Sequence, residues 1–385
     1  MTLFASEAER LERFPAAKKQ IFVAHAGVTP LPKCAADAMI AHVRASCENH
    51  QEFGVVLRDI DQTRRVAAEL INADKSEIAL LGPTSLGLSL FANGLSWGTG
   101  DEVVIYQDDY PSNVYPWMAL VSQGVTIRRI SPEKPGLITP ELIERQLSSH
   151  TRLVALASCH YLSGWRIDVD AIGALLHARG VLFSVDAIQT LGAFPLSVEF
   201  VDFLSADAHK WMLGPMAIGI VFVARRNFEI CRPTLLGAWN VSAPQFLAQD
   251  ALKYHETAQR YEPGVLNVAG AYGMRASLEM LQEIGSQAVA TAILDVRDYL
   301  HGLLGAMGFE FLSPSSEEPL RSGIVTARHP KREASALFAT LEKEKVTASL
   351  RMARDGGQWL RFSMHFYNTR EEMDRIAEIL RAELP

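Results

Sequence analysis

The chain has 385 residues, 48% hydrophobic and 21% charged, with a formal net charge of -7 at pH 7. That length exceeds one ordinary hydrophobic core and predicts two domains, and the acidic balance excludes the basic face of a nucleic-acid binder. No run reaches the roughly 18 to 20 apolar residues of a membrane span, and the amino-terminal segment MTLFASEAERLERF lacks the basic and apolar regions of a leader peptide.

From about residue 77 to 225, short apolar runs alternate with amphipathic segments. The pattern predicts strands at 77–81, 102–107, 126–130, 153–158, 182–187, 203–207 and 218–223. Helices are predicted between them at 85–93, 113–123, 140–148 and 169–179. Such alternation specifies a largely parallel sheet covered on both faces, with ligands at the carboxyl ends of its strands. Beyond about residue 255 the pattern changes to long helices at 266–285 and 286–307. Apolar runs at 323–327, 346–350 and 359–363 then alternate with helices at 331–344 and 369–384. The last helix opens on Thr369 with Glu371 and Glu372 in its first turn, a good amino-terminal signal. The expected division is a large α/β domain over 20–255 and a small α+β domain built from 1–19 and 256–385.

The stretch from Leu182 to Val223 concentrates the chemistry. Asp186 ends one apolar run, Gln189 follows it, and His209-Lys210 ends the next. An acid, an amide and a lysine at strand ends suit pyridoxal phosphate: the Lys210 amine forms a Schiff base with the aldehyde, and the Asp186 carboxylate pairs with the pyridinium nitrogen. Taken alone, Lys210 reads as a solvated lysine, Asp186 as a helix cap and Gln189 as a turn residue; a carboxylate after the run LFSV is costly unless a cation compensates it. Thr84 and Ser85 stand at a strand-to-helix link, where free N–H groups and hydroxyls suit a phosphate or merely cap the helix. Tyr110 follows the next strand and either stacks on a flat ring or packs within its loop. His160, at another strand end, is a candidate for ring contact or proton transfer, or a core histidine. Arg361 sits inside an apolar run, where capture of a substrate carboxylate or a structural ion pair accounts for it. His25, Trp239 and Asn240 are further candidates for the pocket.

The four cysteines (Cys34, Cys47, Cys159 and Cys231) are far apart without a CxxC pair, so a reducing, cytoplasmic setting is expected. No HExxH or Cys/His cluster has metal-ligand spacing, and no metal is expected.

Together these residues resemble the class V aminotransferase family of fold type I pyridoxal-phosphate enzymes. The resemblance runs through FVAHAGVTPLP, GPTSLGLSLFAN, DYPSNVYPW, LSGWRID, SVDAIQTLG, DAHKWMLGP, YEPGVLN and LRFSMHFYNT, in order along nearly the whole chain. It implies an α/β fold with a mainly parallel seven-stranded sheet flanked by helices, plus the smaller carboxyl-terminal domain. It also implies that Lys210 holds the aldehyde, Asp186 the ring nitrogen and Gln189 the phenolic oxygen. Thr84, Ser85 and His209 would lie at the phosphate, Tyr110 on the ring and Arg361 on the carboxylate of an amino-acid or keto-acid substrate. A homodimer is implied, with a Gly-Thr of one subunit on the other's phosphate.

Three departures stand out. The Gly-Thr reads Gly264-Val265, and Asp207 stands where cysteine desulfurases commonly have a phosphate-binding Ser. The loop that carries the desulfurase cysteine reads SLRMARDGGQ, without a thiol. The missing thiol excludes a persulfide-forming desulfurase from the expectation; an aminotransferase comes first because no dedicated group for other outcomes is visible, with a β-lyase or epimerase second. A cofactor-binding protein with lost catalysis is the reading from another class.

Overall fold

The computed structural model describes residues 3–384. Its strands are β1 (Ile21–Phe22), β2 (Ile78–Leu80), β3 (Glu102–Tyr106), β4 (Thr126–Ile130), β5 (Thr151–Ala157), β6 (Leu182–Asp186), β7 (Phe203–Asp207), β8 (Gly219–Val223), β9 (Glu310–Phe311), β10 (Ile324–Arg328), β11 (Val346–Thr347), β12 (Ser349–Met352) and β13 (Gln358–Ser363). Its α-helices are α1 (Glu7–Arg13), α2 (Lys33–Glu48), α3 (Phe53–Leu70), α4 (Thr84–Gly94), α5 (Tyr115–Met118), α6 (Pro140–Glu144), α7 (Val169–Ala178), α8 (Val268–Ile284), α9 (Ser286–Ala306), α10 (Ala334–Lys343) and α11 (Arg370–Ala382).

Strands β2 to β8 form one seven-stranded sheet in the order β2-β8-β7-β6-β5-β3-β4. The pairs from β7 to β4 are parallel, and only β8 runs against its neighbours. Successive side chains of a strand point to opposite faces, and here both faces are apolar. Val104, Tyr106, Val154 and Leu156 join a core with Val66, Ile172 and Leu278 of α3, α7 and α8. Val103, Ile105, Leu153 and Ala155 join a second core with Phe91 and Trp117 of α4 and α5. The continuous apolar runs expected of a doubly covered sheet are therefore what builds this one. Helix α4 lies against β7 so closely that a Cβ on Gly87 would sit 2.4 Å from Ser205 Oγ. That approach sets the first turn of α4 beside the end of β7.

The carboxyl-terminal part holds an antiparallel sheet in the order β12-β13-β10-β9, with a third core that includes Leu300, Leu337 and Ile376 of α9, α10 and α11. Thr369 and Glu372 form a capping box at the start of α11, as the acidic first turn led one to expect. Strand β1 pairs in parallel with β11, and Ala24 bridges to Ser363. The expected boundary at residue 20 therefore cuts a segment that is hydrogen-bonded to the carboxyl-terminal strands. Arg10 of α1 donates to Glu372 at 2.9 Å and to the Tyr367 carbonyl at 3.0 Å, which ties the two chain ends together.

Two stretches differ from expectation. The helix expected at 113–123 is only the four residues of α5 between 3-10 turns at Pro111–Asn113 and Ala119–Gln123, because Pro111 and Pro116 remove N–H donors there. Helices α2 and α3 were not expected. In α2 only Ala35 is buried while Ile40 and Val43 are exposed, so no apolar stripe marks it. In α3 the buried Val56, Ile60, Thr63 and Ala67 do carry helical spacing.

Candidate active site

The carboxyl ends of β2, β3, β5, β6 and β7 open on one side of the large sheet, and the antiparallel sheet closes over them. Between the two lies a cavity of about 300 Å³ lined by Thr84, Ser85, Tyr110, Asp186, Gln189, His209, Lys210 and Arg361. Ala26, Gly27, Tyr161 and Arg351 complete the walls that matter below. Eight residues singled out from sequence thus meet in one place.

Asp186 is the last residue of β6 and is buried; one oxygen accepts the Ile188 N–H at 3.0 Å. Burial raises its pKa to about 6. Lys210 lies three residues beyond β7, and burial pushes its amine down to about 8. Asp186 opposes that shift, whereas Arg361 and Arg351 add to it. The Lys210 Nζ stands 5.4 Å from the centre of the Tyr110 ring, which is partly exposed at the cavity edge.

The Gln189 amide is oriented by its neighbours. Trp211 Nε1–H donates to Gln189 Oε1 at 2.8 Å, and Gln189 Nε2 donates to the Ala26 carbonyl at 3.2 Å. An indole N–H can only donate, so the oxygen must face Trp211. That leaves the second Nε2 proton for a cavity acceptor.

At the start of α4, Pro83 offers no side-chain cap, and with the Leu86 N–H bonded to the Pro83 carbonyl at 2.8 Å, those of Thr84 and Ser85 are open to an anion. Thr84 Oγ1 accepts the Asp207 N–H at 2.8 Å and keeps its own proton to donate. Asp207 does not line the cavity. Its Oδ1 lies 3.0 Å from His209 Nδ1, although neither atom is aligned for a hydrogen bond. A carboxylate here would repel a phosphate, but this one is turned towards an imidazole and away from the cavity.

Arg361, on β13, is buried; its Nη1 donates to the Tyr161 carbonyl at 2.7 Å, and its Nε and Nη2 have no partner. Burial, reinforced by Arg351, lowers its pKa to about 9. A structural ion pair does not account for it, since among the described residues no carboxylate reaches it.

Of the three histidines of the expected site, His209 lines the cavity, whereas His160 and His25 lie off it. His160 Nε2 donates to the Asp108 carbonyl at 3.0 Å, which makes Nδ1 the acceptor from Ser163 Oγ at 2.8 Å. Burial lowers its pKa, so it stays neutral, and its ring packs edge-on to Tyr161. His25 donates from Nδ1 to the Ser363 carbonyl and accepts the Tyr367 hydroxyl on Nε2, both at 2.9 Å, among Phe22, Trp211 and His365. Its place is a buried polar core joining the sheets. Trp239 packs on Phe53, and Asn240 caps Gly237 and Leu235, both outside the lining.

Sequence reasoning missed two residues. Asp109 is buried and accepts from the Tyr110 and Ala157 N–H groups and from Asn113 Nδ2 at 2.8, 3.0 and 3.0 Å, so it anchors the Tyr110 loop to β5. Burial and then Asp186 raise its pKa to about 7. A second acid beside Tyr110 in QDDY was the available signal. Arg351, within the loop read only for its missing cysteine, lines the cavity with its Nε unpartnered.

A lysine and an acid facing one another at the ends of parallel strands, beside an uncapped helix start, define a pyridoxal-phosphate enzyme of fold type I. The residues fit that cofactor: Asp186 is a buried carboxylate awaiting a cationic donor, and the start of α4 awaits an anion. The chain matches the class V aminotransferase family over residues 21–376 and belongs to it, with pyridoxal phosphate as its cofactor. It is 27% identical over 383 residues to a probable cysteine desulfurase of Methanothermobacter thermautotrophicus, covering 95% of each chain. Its fold is like that of a cysteine desulfurase from Thermococcus onnurineus, with TM-score 0.91 at 22% identity over 100% of this chain and 99% of that one. It is also like that of the cystine C-S lyase C-DES in complex with its product cysteine persulfide, with TM-score 0.86 at 22% identity over 97% and 100% of the two chains.

These similarities correct the expectation of an aminotransferase and the exclusion of a desulfurase. Several relatives matched over nearly the full length are named probable cysteine desulfurases. The exclusion rested on one residue type missing from one loop, and a local absence does not outweigh a scaffold shared from end to end.

Proposed function

We propose that this enzyme breaks the carbon–sulfur bond of a cysteine-type amino acid, the reaction type named for its relatives, and that it works as a homodimer in the cytoplasm. The observation that carries this reading is the meeting of Lys210, Asp186 and Arg361 on one cavity, in a chain whose relatives are named for cysteine. Bound there, pyridoxal phosphate supplies the electron sink that weakens bonds at Cα. Asp186 keeps the ring nitrogen protonated. Arg361 holds the substrate carboxylate with its free Nε and Nη2. Lys210, neutral in part at physiological pH, takes and returns the α-proton.

No cysteine is among the residues that line the cavity. Cys159 is fully buried, and burial pushes its thiol up to about 12. The acceptor thiol is therefore brought to the cavity. Cysteine plus that thiol gives alanine plus a persulfide: a sulfur–sulfur bond forms as the Cβ–S bond breaks, its electron pair stays with carbon, and carbon takes a proton.

The dimer rests on the family resemblance and on exposed apolar side chains, including Ile40, Val43, Leu235, Leu236 and Val265. Exposure of Val265 suits a segment that faces a partner. Four widely spaced free cysteines support the reducing compartment.

Incubating the holoenzyme with L-cysteine and dithiothreitol tests the reaction. Alanine and sulfide are expected in equal amounts. Conversion of the cofactor to its amine form with release of a keto acid, and no sulfide, would overturn it.

A further inference from the structure

We propose that the cavity takes, beside cysteine itself, amino acids whose side chain carries a second anionic group, and that Arg351 is the residue that binds that group. Strands β12 and β13 pair with Ser349 opposite Arg361 and Arg351 opposite Trp359. Opposed residues share a face, and so do residues two apart on one strand, so Arg351 and Arg361 point to the same side of the sheet. They converge there: a Cβ built on Gly27 would lie 4.0 Å from Nη2 of each guanidinium. Both line the cavity that holds Lys210.

Charge counting gives the substrate its form. Within the cavity Lys210 is opposed by Asp186, and the cofactor phosphate has the start of α4 and His209. Arg361 and Arg351 remain, and no carboxylate among the described residues pairs with either. Nε of each is buried without a partner, as is Nη2 of Arg361. Buried guanidinium donors left unmade are costly. The α-carboxylate of an amino acid satisfies one of these cations; a side-chain carboxylate or sulfinate satisfies the other. Arg351 is also held in place, because Arg354 three residues on donates to Asp108 Oδ1 at 2.8 Å and to the Gln107 carbonyl at 2.9 Å. That tie fastens the segment after β12 to the segment after β3. The inference rests on the proposed role of Arg361 but not on carbon–sulfur cleavage.

Calorimetric binding of succinate and propionate to the holoenzyme tests it, because neither compound can react. Succinate is expected to bind roughly 10- to 100-fold more tightly, the range of one charge-assisted contact. Arg351→Gln should abolish that difference and leave propionate unchanged, and Arg351→Lys should restore part of it. Equal affinities in the parent, or unchanged succinate affinity in Arg351→Gln, overturn the proposal. If the glutamine variant does not fold, the parent comparison still decides. Turnover of L-aspartate against L-cysteine sulfinate tells a carboxylate from a sulfinate as the natural group. Succinate preference without L-cysteine turnover would leave this site standing and remove the reaction proposed above; turnover of L-cysteine without that preference would do the reverse.

Discussion

The two ends of the cavity are built on opposite electrostatic terms. At the end formed by the large sheet, the groups that would meet the cofactor ring are already held: Asp186 has the Ile188 N–H and faces Lys210, and Gln189 is held by Trp211 and Ala26. At the end formed by the antiparallel sheet, Arg351 and Arg361 face the cavity with donors unmade. The ring-contacting side chains are thus organised before anything binds, whereas the two arginines are left to be completed by a ligand. Preorganised groups cost no rearrangement when charge develops; uncompensated ones cost stability until an anion arrives.

The largest effect that tests this contrast is at the cofactor end. Lys210→Ala should lower kcat on the order of 10^4-fold or more. Borohydride treatment followed by mass spectrometry should fix cofactor to the parent and not to the variant. Cofactor fixed to Lys210→Ala would remove that lysine from its role.

Arg361→Met sharpens the contrast because function and stability should move in opposite directions. kcat/KM should fall about 10- to 100-fold through loss of charge-assisted contacts to the carboxylate. The apoprotein should nonetheless become more stable, on the order of 1 kcal/mol or more, since an unpaired buried charge has gone. A lower melting midpoint for the variant apoprotein would mean that the guanidinium is compensated after all.

The smallest effect is a displacement along the pH axis. Only a neutral amine is nucleophilic, so capture of pyridoxal phosphate by the apoprotein should speed up with pH and level off above about 8, where the Lys210 amine has lost its proton. Asp186 stabilises the charged amine and Arg361 opposes it. Asp186→Asn should therefore move the midpoint of the capture rate to lower pH, and Arg361→Met should move it to higher pH. Shifts of the same sign in both variants would show that their charges do not act on Lys210 as the geometry requires.

Much of this was legible in the amino-acid sequence, for a physical reason. A doubly covered parallel strand is a short continuous apolar run, and its carboxyl end is where polar residues break out. Asp186, His209 and Lys210 stand at such breaks, so local order along the chain was enough to find them. The capping box of Thr369 and Glu372 is equally local. By contrast α2 left no trace, because it packs on α8 through residues such as Cys34 and His42, with only Ala35 buried, and leaves Ile40 and Val43 exposed.

Tertiary structure alone decided the rest. Whether His25 and His160 belong to the cavity or to the packing behind it depends on elements far apart in sequence, and both turn out to be held by carbonyls and hydroxyls away from the lining. Asp207 reads as a threat to a phosphate until its carboxylate is seen beside His209 and outside the cavity. Arg351 and Arg361 read as two arginines ten positions apart until antiparallel pairing sets them on one face. The sequence by itself determined the cofactor, because that chemistry is written in residues at strand ends. Only the folded chain decided what the substrate meets, because that wall joins segments from opposite ends of the sequence, where Coulomb interactions depend on distance in space rather than along the chain.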